Sequence, residues 1–467
     1  MSSTKLRINF IVDDSCSDVV KKRVYYTFDI FCSVFRIKRA SDGIVVKYGC
    51  PNPEGSMILL VSSPFFVSRD HKEPPQKPNF IKIESEFFSN KFGVDSVPLF
   101  TVENEGQKPD WLSEAFEWMS LANEYSLDKR DSIGRVDYKD TLFGKYNLDP
   151  KIPYASIALF FLYKEIFGEY YTGEQAENVV GLSHDIDYLP ITIKSLLIRN
   201  AKYSVIQLLR KEYVLSLKTV FACLFQFAFK NYRIGGIKKI LEQEGNLGVQ
   251  STYFFILSKL HRRDANYMFS NEIFDSDVKP ILEQKNEVGI HGSYTSMFEK
   301  DLLDKELVKA ERFGLSKGFR AHWLRFPCVG KLISVLEKRN TFYDSSLGFS
   351  CKIGFRSGAN FPHPFYNFET ESASSVKLLP LAIMDGALNE EILSSSKEVQ
   401  ELIGGIEKFD SVVKMSGYSV LWHNTALVGT EFSSKIKDAY WTLIKRKKNS
   451  CMTCLDVVRK FEGLACE

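Results

Sequence analysis

The apolar and polar positions divide the chain into two parts with different rhythms. Near the start, "KLRINFIV", "GIVVKYG" and "MILLVSS" are apolar over strand-like lengths, and "DVVKKRVYYTFDIFCSVF" carries a broad apolar face at helical spacing. These elements predict a small α/β unit over residues 1–145. From about 150 to 463, short β-branched and aromatic runs recur, each followed by a helical or loop segment. They are "VVGLSHD", "GVQSTYFFI", "EVGIH", "GFRAHW", "NTFYDSS", "VKLLPLAIMD" and "YSVLWH". Repeated strand and crossover predicts a parallel sheet or barrel.

Between Ile191 and Ile240 the pattern changes again. Ten basic residues, from Lys194 to Lys239, face only Glu212, so the segment carries +9 within a chain of +3. It is also rich in Leu, Ile, Phe and Tyr. Two readings fit: a basic amphipathic helix pair lying on an anionic membrane surface, or a helical insertion packed on the barrel with a solvated basic rim.

Composition narrows the classes. At 467 residues two domains are expected, and 44% hydrophobic with 25% charged residues is a soluble globular balance. Basic residues (61) nearly match acidic ones (58), which argues against a general nucleic-acid binder. Without a signal-like N-terminus or a membrane-spanning run, the expected location is cytoplasmic, with contact at the inner membrane face through 191–240. Cys451 and Cys454 form the only CxxC; lacking a second pair, they are expected as small residues of a strand-to-helix segment.

The candidate chemistry gathers at predicted strand ends. His184, His291, His322, His363 and His423 stand there, with Asp185, Asp187, Asp344, Asp385, Arg320, Arg325 and Arg356. Active sites of parallel α/β barrels form at the carboxyl ends of strands. Asp185 and Asp187 are two apart, so an extended strand directs both to one face. Such a pair is tolerable beside a divalent cation, for which Asp and His are suitable ligands; capping a strand-to-helix turn is the other use of Asp there. Arg356 in "GFRSGANFPHPFYN" and Asp344 are expected on the substrate side; Asp344 could instead hold Arg320 or cap its turn.

Taken in order, "LSHDIDYLP", "EVGIHGSYTS", "GFRAHWLRF", "FYDSSLGF" and "SVLWHNT" resemble the motifs of the polysaccharide deacetylases, carbohydrate esterase family 4 with NodB homology. "GVQSTYFFI" looks like that family's second strand, and the resemblance covers about Val179 to Thr425. It implies an α/β fold: a distorted (β/α)7 barrel, here with a smaller N-terminal α/β domain. The implied activity is metal-dependent removal of an N- or O-acetyl group from a saccharide; the basic apolar segment 191–240 adds the expectation of a lipid-linked intermediate of surface-polysaccharide assembly as substrate. The implied cofactor is a divalent metal, zinc first, with cobalt or nickel as alternatives.

Carried over, Asp185 becomes the catalytic base and Asp187 a metal ligand, although the D-x-D spacing allows exchange. His291 is the first histidine of the H-S-x-x-H motif, but Thr295 stands where the second belongs. The missing ligand is expected from His322, with His363, Asp385 or water as alternatives. Arg320 matches the arginine that holds the base, and His423 the general acid. A catalytically degenerate barrel, kept as a saccharide-binding or assembly module, is the rival expectation that Thr295 raises.

Overall fold

The computed structural model describes residues 6–49, 58–60, 77–82, 96–102, 107–125, 127–171, 177–189, 193–228, 237–315, 317–326, 329–394, 397–413, 415–428 and 434–466. The first part opens with strand β1 (Arg7–Val12) and helix α1 (Asp18–Val34). The Ser17 hydroxyl starts α1 by accepting the Val20 N–H at 3.3 Å, supplying a partner that a first-turn amide lacks. β2 (Lys38–Arg39), β3 (Ile44–Tyr48) and β4 (Ile58–Leu60) complete a parallel sheet of order β2-β1-β3-β4. A hairpin-like pair, β5 (Asn79–Lys82) and β6 (Ser96–Leu99), and helices α2 (Trp111–Met119) and α3 (Tyr154–Phe167) follow.

The larger sheet begins with β7 (Glu177–Ile186), after which come helices α4 (Ile193–Leu209), α5 (Tyr213–Ala228) and α6 (Ile237–Leu247). Its next strands are β8 (Thr252–Ile256), β9 (Glu287–Gly292), β10 (Gly318–Ala321), β11 (Tyr343–Asp344), β12 (His363–Asn367), β13 (Ser372–Leu378) and β14 (Leu381–Met384). Helix α7 (Asp385–Ser394), β15 (Met415–Leu421), α8 (Ser434–Lys447), β16 (Cys451–Met452) and α9 (Cys454–Cys466) complete the elements used below. The order is β12-β13-β11-β10-β9-β8-β7-β15-β14, with β16 also on β7. Every pairing is parallel except β12 with β13.

"VKLLPLAIMD" was expected as one strand. It is two, because Pro380 has no N–H to give a ladder. The break shapes the sheet. β13 belongs beside β11 near one end of the order and β14 forms the other end, yet only Leu379 and Pro380 lie between them. Three residue steps reach at most about 11 Å. The sheet therefore curls until its ends meet, and the Leu381 N–H reaches the Leu347 carbonyl, beyond β11, at 3.2 Å.

The chain is thus mixed α/β with a curled, largely parallel sheet, and helices cover its outer face. The first part shares its core with that sheet: Phe31 and Phe116 belong to the same apolar cluster as Tyr366 and Phe461. Arg23 clamps Glu371 with two hydrogen bonds of 3.0 and 2.7 Å, and the Tyr26 hydroxyl donates to the Pro364 carbonyl. Of the basic segment 191–240, α4, α5 and the start of α6 are described; Lys230 and Arg233 lie outside the described residues. Among the described residues no helix is long and apolar enough to cross a membrane.

Candidate metal centre

The register of the parallel strands builds the site. Asp185 of β7 faces Phe254 of β8, Ile256 of β8 faces His291 of β9, and His291 faces Arg320 of β10. Their carboxyl ends lie at one level, where β7, β9 and β10 bring polar side chains together and β8 adds the Phe254 ring. Asp187, the residue after β7, reaches the same cleft as Asp185, in keeping with their two-residue spacing: His291 Nε2 is 3.4 Å from Asp187 Oδ1 and 3.4 Å from Asp185 Oδ2.

Arg320 is wholly buried, and each of its three nitrogens is used. Nη1 donates to Asp185 Oδ1 (2.9 Å) and to Ser183 Oγ (2.8 Å). Nη2 donates to Ser345 Oγ and Nε to the Ser345 carbonyl, while the Phe254 ring covers the guanidinium 4.4 Å away. A buried cation needs this compensation, since its lost hydration is worth several kcal/mol. Gly289, opposite Phe254, makes room for the ring: a Cβ there would lie 2.6 Å from it.

His291 is set by its other nitrogen. Nδ1 lies 2.9 Å from the Arg320 carbonyl, which can only accept, so Nδ1 carries the proton and Nε2 presents a lone pair. That lone pair and Asp187 Oδ1 are buried and have no hydrogen-bond partner. His322 supplies a third donor, with Nε2 3.5 Å from Asp187 Oδ2. Asp187, His291 and His322 can each offer one ligand atom within 4.8 Å of the others, a group able to hold a metal ion. Two imidazoles and a carboxylate are a borderline donor set, suited to zinc and similar divalent ions. The orphaned lone pairs of His291 and Asp187 point where such an ion would sit. Burial alone would raise the Asp187 carboxyl, but His322 beside it holds it well below the usual carboxylate range.

Thr295 therefore leaves no gap in the donor count. It precedes a short turn (Ser296–Phe298), and His322 of the next strand end provides the imidazole. Just beyond His322, Trp323 and Leu324 both have left-handed backbone, φ 62° and 50°. L-residues adopt this region at about 1–2 kcal/mol each, so the chain is strained where it presents His322 to the cleft. The Trp323 indole is left 47% exposed at the rim, near Arg263 and Tyr294.

His423, after β15, approaches from the opposite side. Its Nε2 is 3.7 Å from Asp187 Oδ2. Asp385 takes the His423 backbone N–H at 2.7 Å and Nδ1 at 2.9 Å. Burial would lower this imidazole, but Asp385, then Asp187 and Asp185, push it up to about 10. That shift favours the protonated imidazole.

The remaining expected residues lie elsewhere. Arg356 is buried against Glu124, with two hydrogen bonds of 3.0 and 2.6 Å, and donates to the Gly348 carbonyl. Asp344 is buried beneath the site and accepts the Ser346 N–H; its two serines, not its carboxyl, hold β10, through Arg320 and the Ala321 N–H. Burial pushes Asp344 up to about 6. His363 packs in the core beside Phe361, outside the cluster. His184 points to the opposite face of β7, between the Trp422 carbonyl, Glu244 and Tyr440.

One contributor was missed. Asp264, in a loop after β8, faces His322 Nδ1 at 3.8 Å and is fixed by the N–H groups of Leu260, His261 and Tyr294. It stands behind the ligand, where a carboxylate orients a histidine toward a metal. Nothing in "HRRDANY" announces this, since Asp264 is at no strand end. No protein-family model matches the chain, and neither the curated proteins nor the solved structures contain a significant match.

Proposed function

We propose that the chain is a metal-dependent carbohydrate deacetylase of the polysaccharide deacetylase type, its curled sheet being a distorted (β/α)7 barrel. It would hydrolyse an N-acetyl, or O-acetyl, group on a saccharide. One observation carries the reading: an Arg-held Asp185, an Asp-held His423 and the Asp187–His291–His322 group meet at the carboxyl ends of neighbouring strands. A binding module has no use for all three. His322 provides the imidazole that Thr295 does not, which favours hydrolysis over the degenerate module.

Asp187, His291 and His322 would hold the ion. A divalent ion supplies polarisation of the acyl carbonyl and a lowered pKa for its water. Asp185 Oδ2, free of the Arg320 contact at Oδ1, takes the proton from the attacking water. Arg320 compensates the charge of Asp185 and fixes its plane. His423 gives its Nε2 proton to the departing amine, while Asp385 keeps Nδ1 oriented. The exposed Trp323 ring offers a flat apolar face for a sugar.

The test is acetate release from an N-acetylated oligosaccharide by zinc-, cobalt- or nickel-loaded protein, with metal content measured in parallel. Stoichiometric metal that is lost in His322→Ala, together with acetate release, supports the reading. Metal-replete protein that binds no ion would leave only the module.

A further inference from the structure

The α4–α5 pair is built inside out. The polar side chains Ser204, Gln207, Ser216 and Thr219 are buried between the two helices. They satisfy one another: Ser204 Oγ lies 2.7 Å from Ser216 Oγ, Ser216 Oγ donates to the Ser204 carbonyl at 3.0 Å, and Thr219 Oγ1 donates to Gln207 Oε1 at 2.8 Å. The apolar side chains face out. Leu197, Val205 and Leu209 are exposed on α4, and Val214, Leu217 and Phe221 on α5, with Leu209 at 79% and Val214 at 69%. Half of the exposed large hydrophobic side chains among the described residues fall between Leu197 and Leu224, so this is a patch and not scatter.

A small-residue, hydrogen-bonded seam with apolar outer faces is how helices pair when the surrounding medium is hydrocarbon. Neither helix is long and apolar enough to cross a bilayer, and the turn between them carries Arg210, Lys211 and Glu212. The pair must lie along a surface. Its turn is also tied back to the body, Arg210 to Glu390 of α7 at 3.3 Å.

We propose that α4–α5 docks on an anionic lipid bilayer, with its apolar face in the acyl–headgroup boundary and its basic residues against the headgroups. Charge selects this occupant over a second copy of the chain. A two-fold contact would set the same helices, with Lys202, Lys211 and Lys218 exposed, against themselves, whereas an anionic surface complements them. Each basic residue at such a surface contributes about fivefold in affinity. The docking does not depend on the hydrolytic reading. It does have a consequence for it: α4 starts just after Asp187 and the turn touches the helix that begins with Asp385, so the cleft would open near the headgroups, where a lipid-linked saccharide presents its sugar.

The experiment is co-sedimentation of the full chain with vesicles of phosphatidylcholine alone and of phosphatidylcholine containing about one third phosphatidylglycerol. Two variants accompany it: Leu209→Gln with Val214→Gln and Phe221→Gln, and Lys202→Glu with Lys211→Glu and Lys218→Glu. Binding to the anionic vesicles, at least tenfold weaker in each variant, is expected. Because the changed side chains are exposed, an unchanged thermal midpoint identifies folded variants. The proposal is overturned if the wild-type chain stays in the supernatant with both vesicles, or if folded variants bind as it does. A dimer by light scattering that the Gln variant abolishes, without vesicle binding, would assign the face to a second copy.

Discussion

The cleft at the strand ends and the α4–α5 pair both break the rule that apolar side chains go inside and charged ones outside, and they break it in opposite ways. In the cleft, Arg320, Asp185 and His291 are buried, and Arg320 and Asp185 satisfy each other. What lacks a hydrogen-bond partner is polar, and includes the His291 lone pair, one Asp187 oxygen and His322 Nδ1. In the helix pair the buried polar groups are satisfied, and what lacks a partner is apolar surface. Each unmet group names its complement, a cation in one region and hydrocarbon in the other. The lesson is that burial should be judged by what the exposed or orphaned atoms still need.

Substitutions can break that comparison. The largest effect is expected for Asp187→Ala or His322→Ala, which should abolish metal retention on dialysis and reduce acetate release beyond the 10²–10⁴-fold of a lost proton-transfer group. His423→Gln should lower kcat by about 10²–10⁴-fold with metal content unchanged, separating proton donation from ion binding. Arg320→Leu leaves Asp185 uncompensated in the cleft and should cost about 3–5 kcal/mol in urea unfolding.

A pH series sharpens the contrast between buried groups with and without charge partners. Burial pushes His363 down to about 4, so the folded chain resists a proton that the unfolded chain accepts near pH 6.5. This contribution is fully present above about pH 6.5 and fades as pH falls toward 4. Stability should drop by about 2 kcal/mol between pH 7 and 5, and His363→Gln should flatten that slope in urea titrations. The smallest effect belongs to the surface: Arg210→Gln removes an exposed ion pair and should change stability by about 0.5 kcal/mol or less.

Much of this was legible in the sequence because it is local. Strand ends marked by His291, Arg320 and His423 follow from short apolar runs, and the two-residue spacing placed Asp185 and Asp187 on one face. What escaped depends on distant partners. Glu124 claims Arg356 from 232 positions away, and Glu244 draws His184 to the outer face of β7. Asp264 acts from a loop whose composition is ordinary. The basic, apolar character of 191–240 could be read directly, but not that Ser204 and Ser216 would meet and turn the leucines outward. Periodicity records how a segment folds on itself, and pairings across the fold are set by closure.

The position of β7 has a consequence during synthesis. It opens the large sheet but is flanked by β15, whose residues are made more than two hundred positions later. Until Met415–Leu421 leave the ribosome, the strand bearing the acidic pair shows a bare edge, open to wrong neighbours. Chains cut before Met415 should precipitate or recruit chaperones, and a soluble, compact fragment of that length would mean that something other than β15 shields the edge.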